Sequence, residues 1–296
     1  SEYGFWIDAD EQAIFEDNFS KDKLIHGLRS QNIELGSTEV EYGPQKYFRS
    51  QIFKVDMDWI WEGAVHEILT TKGKEGRNNI RAGRVEGFRS LVTPDGASWG
   101  DGSKETQRKK YLEHAEMLTE YIKTNKDVRW VFYLAQSYRD AFEWEKAEYW
   151  YGERVKLGGG YWEELYFSQL MVASMQANQK KLISEVLHSY QECCKYDTNR
   201  CEHLMPVIRH HQSTRNYPMA YMISKYCLDN CSKNPFPKST LFIDNQVYDW
   251  QILDLHCVNA YYMGKHGEAR SAYNKLRKAI NKGLVPEAHV KRIKDN

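Results

Sequence analysis

Two carboxylates separated by one residue stand near the start of the chain, in the segment Asp8-Ala9-Asp10. They follow the apolar run Tyr3-Gly4-Phe5-Trp6-Ile7, which predicts a buried strand over 3–8. Side chains at i and i+2 of a strand share one face, so both carboxylates can reach one ion. Mg²⁺ and Mn²⁺ prefer oxygen ligands, often one or two carboxylates together with substrate phosphates. The pair is a candidate metal site, and a solvated pair of loop acids is the alternative.

A second candidate for chemistry is the pair His66-Glu67, which follows Trp59-Ile-Trp-Glu-Gly-Ala-Val65. A histidine can ligate a metal or carry a proton. A glutamate can act as a general base where its surroundings raise its pKa. The alternative is a partly buried histidine at a strand end beside a surface glutamate.

The elements that must position these residues belong to a region of mixed strand and loop, residues 1–103. Alternation and aromatic content predict strands over 46–55 and 59–61, and apolar spacing predicts a helix over 15–30. Turn residues occur at Gly36-Ser37, Tyr42-Gly43-Pro44 and Pro94-Asp95-Gly96. The glycine-rich stretch 72–103 is predicted to be a long loop or a pair of short strands.

From Lys104 onward the apolar period becomes 3.6, which predicts helices through residue 296. Residues 131–138 and 144–151 form a helix hairpin pattern with the small residue Ala147 at the crossing. Similar patterns recur around Ile183, Ala220 and Ala269, and the whole resembles degenerate tetratricopeptide repeats with an insertion at 233–238. Most aromatic and methionine side chains here are expected to be core.

Composition limits the remaining function classes. The 296 residues carry 41 Lys and Arg against 41 Asp and Glu, so the net charge gives no case for nucleic acid or an anionic membrane. The sequence contains no run of 18 or more apolar residues, so it predicts no integral membrane segment. The six cysteines lie after residue 190 without a Cys-x-x-Cys motif, which favours buried free thiols in a reducing cytosol and a cytoplasmic protein.

Four segments in order resemble family-2 glycosyltransferases that carry tetratricopeptide-like C-terminal helices. They are 6–11 (Trp-Ile-Asp-Ala-Asp-Glu), 61–67 (Trp-Glu-Gly-Ala-Val-His-Glu), 129–160 with its Gly-Gly-Gly end, and 241–250 (Leu-Phe-Ile-Asp-Asn-Gln-Val-Tyr-Asp-Trp). The resemblance implies a GT-A fold, a Rossmann-like sheet that binds a nucleotide sugar through Mn²⁺ or Mg²⁺. Only seven residues precede Asp8, so the resemblance also implies that the N-terminal part of the GT-A domain is lacking.

The resemblance assigns roles to the candidate residues. Asp8 and Asp10 would bind metal, diphosphate and ribose, Glu67 would be the base of an inverting transfer, and His66 would ligate the metal or orient the base. The acceptor would be a glycan, a lipid-linked saccharide or a protein. Cations of the glycine-rich stretch would close over the diphosphate, with a solvated loop as the alternative: Lys72, Lys74, Arg77, Arg81 and Arg84.

The sequence therefore predicts an α+β chain that is mostly α: a partial GT-A segment over 1–103 and tetratricopeptide-like repeats over 104–296. The predicted function is metal-dependent sugar transfer, although this polypeptide alone is not expected to be competent. The alternative is a helical-repeat module that binds a protein partner on its concave surface, with a non-catalytic N-terminal remnant. A hydrolase that uses Asp10 and Glu67 as paired carboxylates is the least favoured hypothesis.

Overall fold

The computed structural model describes residues 2–43, 45–72, 80–93, 103–231 and 239–295. The chain divides into two compact units, Ser1–Trp150 and Tyr151–Asn296. The last strand ends at Val92 and the following helix begins at Lys104, so secondary structure changes type earlier than the units divide. The domain boundary at 103/104 stays a prediction.

The first unit begins with strands and ends with helices. Its strands are β1 (Tyr3–Phe5), β2 (Glu11–Phe15), β3 (Leu35–Tyr42), β4 (Gln45–Lys54), β5 (Trp59–Glu62), β6 (Ile68–Thr71) and β7 (Ala82–Val92). Its helices are α1 (Lys21–Ser30), α2 (Lys104–Thr124), α3 (Val128–Asp140) and α4 (Trp144–Leu157), the last of which continues into the second unit.

Five strands form one sheet in the order β1-β4-β3-β7-β2, and β5 pairs with β6 in a separate hairpin. Only β3 and β7 run parallel, whereas the other three neighbouring pairs of the five-stranded sheet are antiparallel. A Rossmann-like sheet is mostly parallel, with helices in the crossovers. The predicted partial GT-A segment is therefore wrong, although the expectation of a sheet followed by a mostly helical chain is confirmed.

Two local predictions in this unit need correction. Gly36-Ser37, which was expected to form a turn, lies inside β3. Glycine is needed there for packing, because a Cβ at Gly36 would approach Val85 Cγ2 to 2.7 Å. The helix expected over 15–30 begins only at Lys21, since the Ser20 side chain accepts the Lys23 N–H and caps it there. The turn at Gly43 is confirmed, and Pro94-Asp95-Gly96 lies outside the described residues.

The second unit is a series of helix pairs. Its helices are α5 (Trp162–Asn178), α6 (Ile183–Glu192), α7 (Leu204–Ser213), α8 (Tyr217–Asn230), α9 (Ile252–Tyr262), α10 (His266–Asn281) and α11 (Glu287–Asp295). A 3₁₀ turn at Cys193–Lys195 follows α6, and a π-helical turn at Val247–Gln251 leads into α9. The part of the chain that the structure describes contains no helix with the length and apolarity that a membrane span requires.

One turn geometry joins the helices of each pair α3–α4, α5–α6, α7–α8 and α9–α10. Two residues past the first helix the backbone is left-handed, with φ of 60°, 56°, 58° and 68° at Phe142, Lys180, Arg215 and Gly264. The N–H of the next residue then bonds to the carbonyl five positions back, at 2.8 to 3.1 Å. This is the Schellman arrangement that satisfies the last carbonyls of a helix. Its fourfold recurrence confirms the predicted helical repeats.

Small residues pack where the second helices cross the first ones. Ala147 and Ala220 are fully buried and Ala269 is nearly so, as the pattern predicted. The match at Ile183 is wrong, because this first residue of α6 is 52% exposed. Val186 and Tyr190 provide the core contacts of α6 instead.

Candidate functional site

Asp8 and Asp10 lie between β1 and β2 instead of on the predicted longer strand. The carboxylate of Asp8, 53% exposed, accepts a hydrogen bond from the Arg49 guanidinium at 2.9 Å. Glu11 contacts the same guanidinium with a side chain that is only 2% exposed. The Asp10 carbonyl accepts hydrogen bonds from the Thr93 N–H and hydroxyl at 2.7 and 3.1 Å. The structure therefore gives Asp8 a cationic protein partner.

His66 and Glu67 lie in the loop between β5 and β6. Gly63 opens the loop with φ of 130°, and a Cβ there would meet the Trp130 ring at 2.5 Å, so the close approach requires glycine. The His66 ring stacks on Tyr133, with centroids 4.5 Å apart, and lies 6.3 Å from the His114 ring. Glu67 is exposed.

The His66 imidazole is disfavoured as a cation. Although the residue as a whole is exposed, desolvation of the ring lowers the pKa of His66 to about 4, and the positive charges of His114, Arg129 and Lys110 act in the same direction. Within the described ranges, the one group of three potential metal-ligating side chains lies in the helical unit and includes none of Asp8, Asp10 and His66. Their roles as metal ligands, and that of Glu67 as a base, stay predictions.

The cations expected to close over a diphosphate are partly occupied by protein contacts. The Arg81 guanidinium lies 3.8 Å from the Glu34 carboxylate, and the Arg84 guanidinium lies over the Phe48 ring at 4.2 Å. Lys74 and Arg77 lie outside the described residues, and Lys72 is exposed. These contacts fit the alternative of a surface segment.

A cleft of about 320 Å³ lies in the helical unit. Residues from three helices and the π-helical turn line it: Arg209 and Gln212 from α7, Trp250 from the turn, Asp254, Leu255 and Val258 from α9, and His289 and Arg292 from α11. The first unit has a larger cleft, of about 550 Å³, beside α1 and β7. However, none of its described lining residues has a buried polar atom without a partner. The helical cleft does, so it is the better candidate site.

That atom is the indole nitrogen of Trp250. The side chain is 4% exposed, and its Nε1–H finds no acceptor among the described residues. Its ring packs against His289, with centroids 4.9 Å apart. Buried donors are nearly always paired, and although the Nε1–H groups of Trp6 and Trp130 also lack a partner, Trp250 is the one that lines this cleft. The π-helical turn that carries Trp250 is a rare element, which is found frequently at functional sites.

The charged groups of the cleft give it a donor-rich character. Arg292 holds Asp254 through two hydrogen bonds of 3.2 and 2.8 Å, so this carboxylate is already neutralised. Arg209 donates to the Gln251 amide oxygen at 2.9 Å, and its charge also acts on the Asp244 carboxylate. Gln212 donates to the Asn259 side chain at 2.7 Å. The cleft thus presents the Arg209 cation, and the unpaired indole N–H lies buried in its wall.

Buried charges hold the segment that leads to Trp250. The Glu163 carboxylate accepts the N–H groups of Thr240 and Leu241 at 2.7 and 2.6 Å. The Arg200 guanidinium donates to the carbonyls of Leu241 and Phe242 at 2.9 and 3.3 Å. The backbone of residues 240–242 is therefore fixed from both sides by ions of opposite sign.

The same network continues around Glu202. Arg200 pairs with this carboxylate at 2.8 Å, and the hydroxyls of Tyr166 and Tyr248 donate to it at 3.1 and 2.6 Å. Burial raises the pKa of Glu202, but the Arg200 charge and the hydrogen bonds outweigh burial and hold it below its ordinary value. The sequence analysis missed Glu163, Arg200 and Glu202, because residue spacing does not distinguish a buried acid at the start of a helix from a solvated one.

Comparison with known proteins gives only distant similarities. No family model and no curated protein matches the chain. Among solved structures, a MamA double mutant from RS-1 is 9% identical, covering 60% of this chain and 88% of that chain with a TM-score of 0.42. BtubC from P. vanneervenii is 12% identical, covering 62% and 79%, with a TM-score of 0.43. YrrB, described as a TPR protein with an unusual peptide-binding site, is 10% identical, covering 62% and 84%, with a TM-score of 0.40.

The predicted resemblance to family-2 glycosyltransferases is wrong. The comparisons return helical-repeat proteins, no family model matches, and the sheet lacks the parallel order of a Rossmann-like domain. The description as a transferase that uses a nucleotide sugar and manganese in glycan synthesis is therefore wrong as well. An Mn²⁺ or Mg²⁺ ion at Asp8 and Asp10 stays an untested prediction. Of the alternative, the helical-repeat fold is confirmed by the paired helices of the second unit.

Proposed function

We propose that the helical unit is a protein-binding module that takes a peptide segment carrying a carboxylate into the cleft between α7, α9 and α11. The single observation that carries the proposal is the buried Trp250 indole N–H without a partner in a cleft of peptide-binding size. A peptide offers both a carbonyl to accept from this N–H and side chains to fill the cleft.

Charge selects the chemistry of the peptide. Asp254 is already held by Arg292, so the remaining charge that faces a ligand is that of Arg209. A guanidinium binds a carboxylate through charge-assisted hydrogen bonds, which are roughly twice as strong as neutral ones. The apolar side chains of Leu255 and Val258 would contact an apolar neighbour of that carboxylate.

The repeat architecture supports a peptide ligand. Stacked helix pairs form extended surfaces that proteins use for recognition. YrrB carries peptide binding in its description, and another similar structure is titled as a complex of the yeast Sti1 TPR2AB domain with pHSP90. These proteins share a helical-repeat description with this chain at low similarity, so the cleft itself has to carry the test.

Selection from a displayed random-peptide library on the purified chain tests the proposal. Peptides with Asp, Glu or a free C-terminal carboxylate next to an apolar residue are expected to be enriched. Arg209→Glu is expected to weaken a selected peptide at least about tenfold, as loss of one charge-assisted hydrogen bond implies. Trp250→Phe, which removes the N–H together with part of the buried indole ring, is expected to weaken it several-fold.

Arg270→Glu is the matched control, because Arg270 is exposed on α10 and does not line the cleft. It makes the same charge change and should leave the affinity unchanged. Equal affinities of wild type, Arg209→Glu and Trp250→Phe would show that the cleft is not the binding site. If the selected peptides were not enriched in acidic residues, the proposal that the ligand carries a carboxylate would be rejected.

A further inference from the structure

Three cysteine side chains meet in the interior of the helical unit. The Sγ atoms of Cys201, Cys227 and Cys231 all lie within 4.8 Å of one another. Their exposed fractions are 0%, 1% and 8%, and none of the three forms a disulfide. They are part of the core around α7 and α8, so this is a closed site and not a surface group.

Two elements bring the thiols together. Cys227 and Cys231 are four residues apart at the end of α8, which places them on one helix face. Cys201 lies in the segment before α7, where the Tyr248 hydroxyl holds its backbone N–H at 3.2 Å. The sequence contains no Cys-x-x-Cys motif, so the ligand set exists only in the folded chain.

Thiolate sulfur selects Zn²⁺ and other thiophilic cations over Mg²⁺ and Ca²⁺. A tetrahedral zinc site with Zn–S bonds of about 2.3 Å places its sulfurs roughly 3.8 Å apart. The three Sγ atoms are therefore within about 1 Å of this spacing before any ion contracts them.

A fourth donor can come from Cys194 or His203, both of which interact electrostatically with Cys231. The Nε2 atom of the fully buried His203 lies 3.1 Å from the Sγ of Cys194. Its Nδ1 lies 3.0 Å from the Tyr166 hydroxyl, which donates to Glu202 and so accepts from Nδ1–H. In this tautomer the Nε2 lone pair accepts from the Cys194 thiol, a contact that metal ligation by either residue would replace. A histidine whose other nitrogen is held in this way is the usual zinc ligand.

We propose that Cys201, Cys227 and Cys231 bind one structural Zn²⁺ ion, with the fourth ligand from the adjacent Cys194–His203 pair. Binding replaces the three thiol protons, which pass to solvent, by the metal, and involves no change in oxidation state. The ion joins the segment before α7 to the end of α8. It therefore stabilises α7, the helix that carries Arg209 and Gln212 of the cleft.

Metal titration of the full chain, kept reduced and stripped of metal with a chelator, tests the site directly. One equivalent of Zn²⁺ is expected to bind in competition with a chromophoric chelator and to raise the Tm. Co²⁺ is expected to give thiolate charge-transfer and tetrahedral d–d bands. Absence of stoichiometric Zn²⁺ binding by the folded, reduced chain overturns the proposal, whatever the variants do. Stoichiometric Cu⁺ binding without Zn²⁺ binding overturns the assignment of the metal.

Cysteine variants locate the site. Cys227→Ser and Cys231→Ser are expected to lose stoichiometric Zn²⁺ binding and the Co²⁺ thiolate bands, with circular dichroism confirming that each remains helical. Cys257→Ser is the matched control, because this half-buried cysteine on α9 lies outside the trio and should bind one equivalent. Full binding by Cys227→Ser and Cys231→Ser would place the metal elsewhere and reject the trio.

The fourth ligand is resolved by two further variants. If His203 ligates, His203→Ala changes the Co²⁺ spectrum and Cys194→Ser leaves it unchanged, and the reverse holds if Cys194 ligates. Unchanged spectra in both variants would reject the Cys194–His203 pair as the source of the fourth ligand. Because peptide binding is not measured here, the result is independent of the proposed function.

Discussion

The Arg49–Asp8 pair of the sheet lies near solvent, whereas two arginine–carboxylate pairs of the helical unit lie in the interior. In the sheet, the Arg49 side chain is 25% exposed and its partner Asp8 is 53% exposed. In the helical unit, the side chains of Arg154 and Arg200 are fully buried together with their carboxylate partners. An exposed pair contributes little because solvent screens it, while a buried charge without its partner is strongly destabilising. The same pairing of residue types therefore has different consequences in the two regions.

The buried network also explains why irregular backbone is ordered in the helical unit. Arg154 pairs with Glu164 and donates to the carbonyls of Gly158 and Gly159 at 3.1 and 2.9 Å. These glycines and Gly160 have φ near +60°, a conformation that other residues rarely adopt. Arg200 and Glu163 do the same for residues 240–242. Charge here replaces the missing hydrogen bonds of a helix.

The largest effect is expected for Glu163→Ala. The change removes the acceptor for two backbone N–H groups and a partner of Arg200, so the free energy of unfolding should fall by about 3–5 kcal/mol. Urea denaturation measures it. Glu153→Ala, which breaks an exposed pair with Lys156 on α4, is the control and should cost under about 1 kcal/mol. If both variants lost the same free energy of unfolding, the buried and the exposed charge would contribute equally to stability.

A smaller loss is expected for Ala147→Leu at the crossing of α4. The residue has no exposed surface, so three additional carbons overpack the contact and should cost about 1–3 kcal/mol. Ala177→Leu is the matched control, because Ala177 is exposed near the end of α5 and the larger side chain can extend into solvent. If both variants melted like wild type, the crossing would not be closely packed.

Acid is expected to weaken the first unit through His66. The folded-state pKa of about 4 lies below the ordinary value of 6.5, so the unfolded chain takes up the proton first. The contribution is complete above pH 6.5 and is lost as pH falls towards 4. Because residue 66 is exposed, the loss should amount to about 1 kcal/mol or less.

Urea denaturation of wild type and His66→Asn at pH 7.5 and 5 measures how much His66 contributes to the pH dependence of the free energy of unfolding. Asparagine tolerates the φ of 53° at this position, and the variant should lose less stability between the two pH values. His26→Asn, at an exposed position of α1, should follow wild type. A wild-type pH dependence in His66→Asn would show that this ring titrates normally.

The smallest effect is expected for Asp8→Ala. Arg49 keeps Glu11 as a partner, so loss of the exposed pair should cost under about 1 kcal/mol in urea denaturation. Glu11→Ala should cost more, since it leaves Arg49 and the Gln51 amide without the buried acceptor. The opposite order would mean that the exposed pair holds this turn.

Sequence analysis predicted the helices of the repeats well, because the 3.6-residue period and the small residues at crossings are local signals. The predicted repeat pattern is wrong at Ile183, because Lys181 and Leu182 lengthen the connection between α5 and α6. Strands β2, β3 and β6 were missed. β2 pairs with the distant β7, the start of β3 was read as a turn at Gly36-Ser37, and β6 has only four residues. The segment 241–250 stood out in the sequence, but its role in placing Trp250 did not.

The candidate sites were the least predictable part. Asp8-Ala9-Asp10 and His66-Glu67 attracted attention because carboxylates and histidine are chemically versatile, yet contacts with Arg49 and Tyr133 occupy two of them. Arg209 and Trp250 lie on different elements, and nothing in their spacing joins them.

The sequence by itself determined that most of this chain folds into paired helices, since apolar periodicity and turn residues act over a few positions. The tertiary structure decided which charges are buried, which indole N–H lacks an acceptor, and which three thiols meet. Such groupings join residues from separate elements, so they depend on how the helices pack and on desolvation. A local pattern cannot encode either.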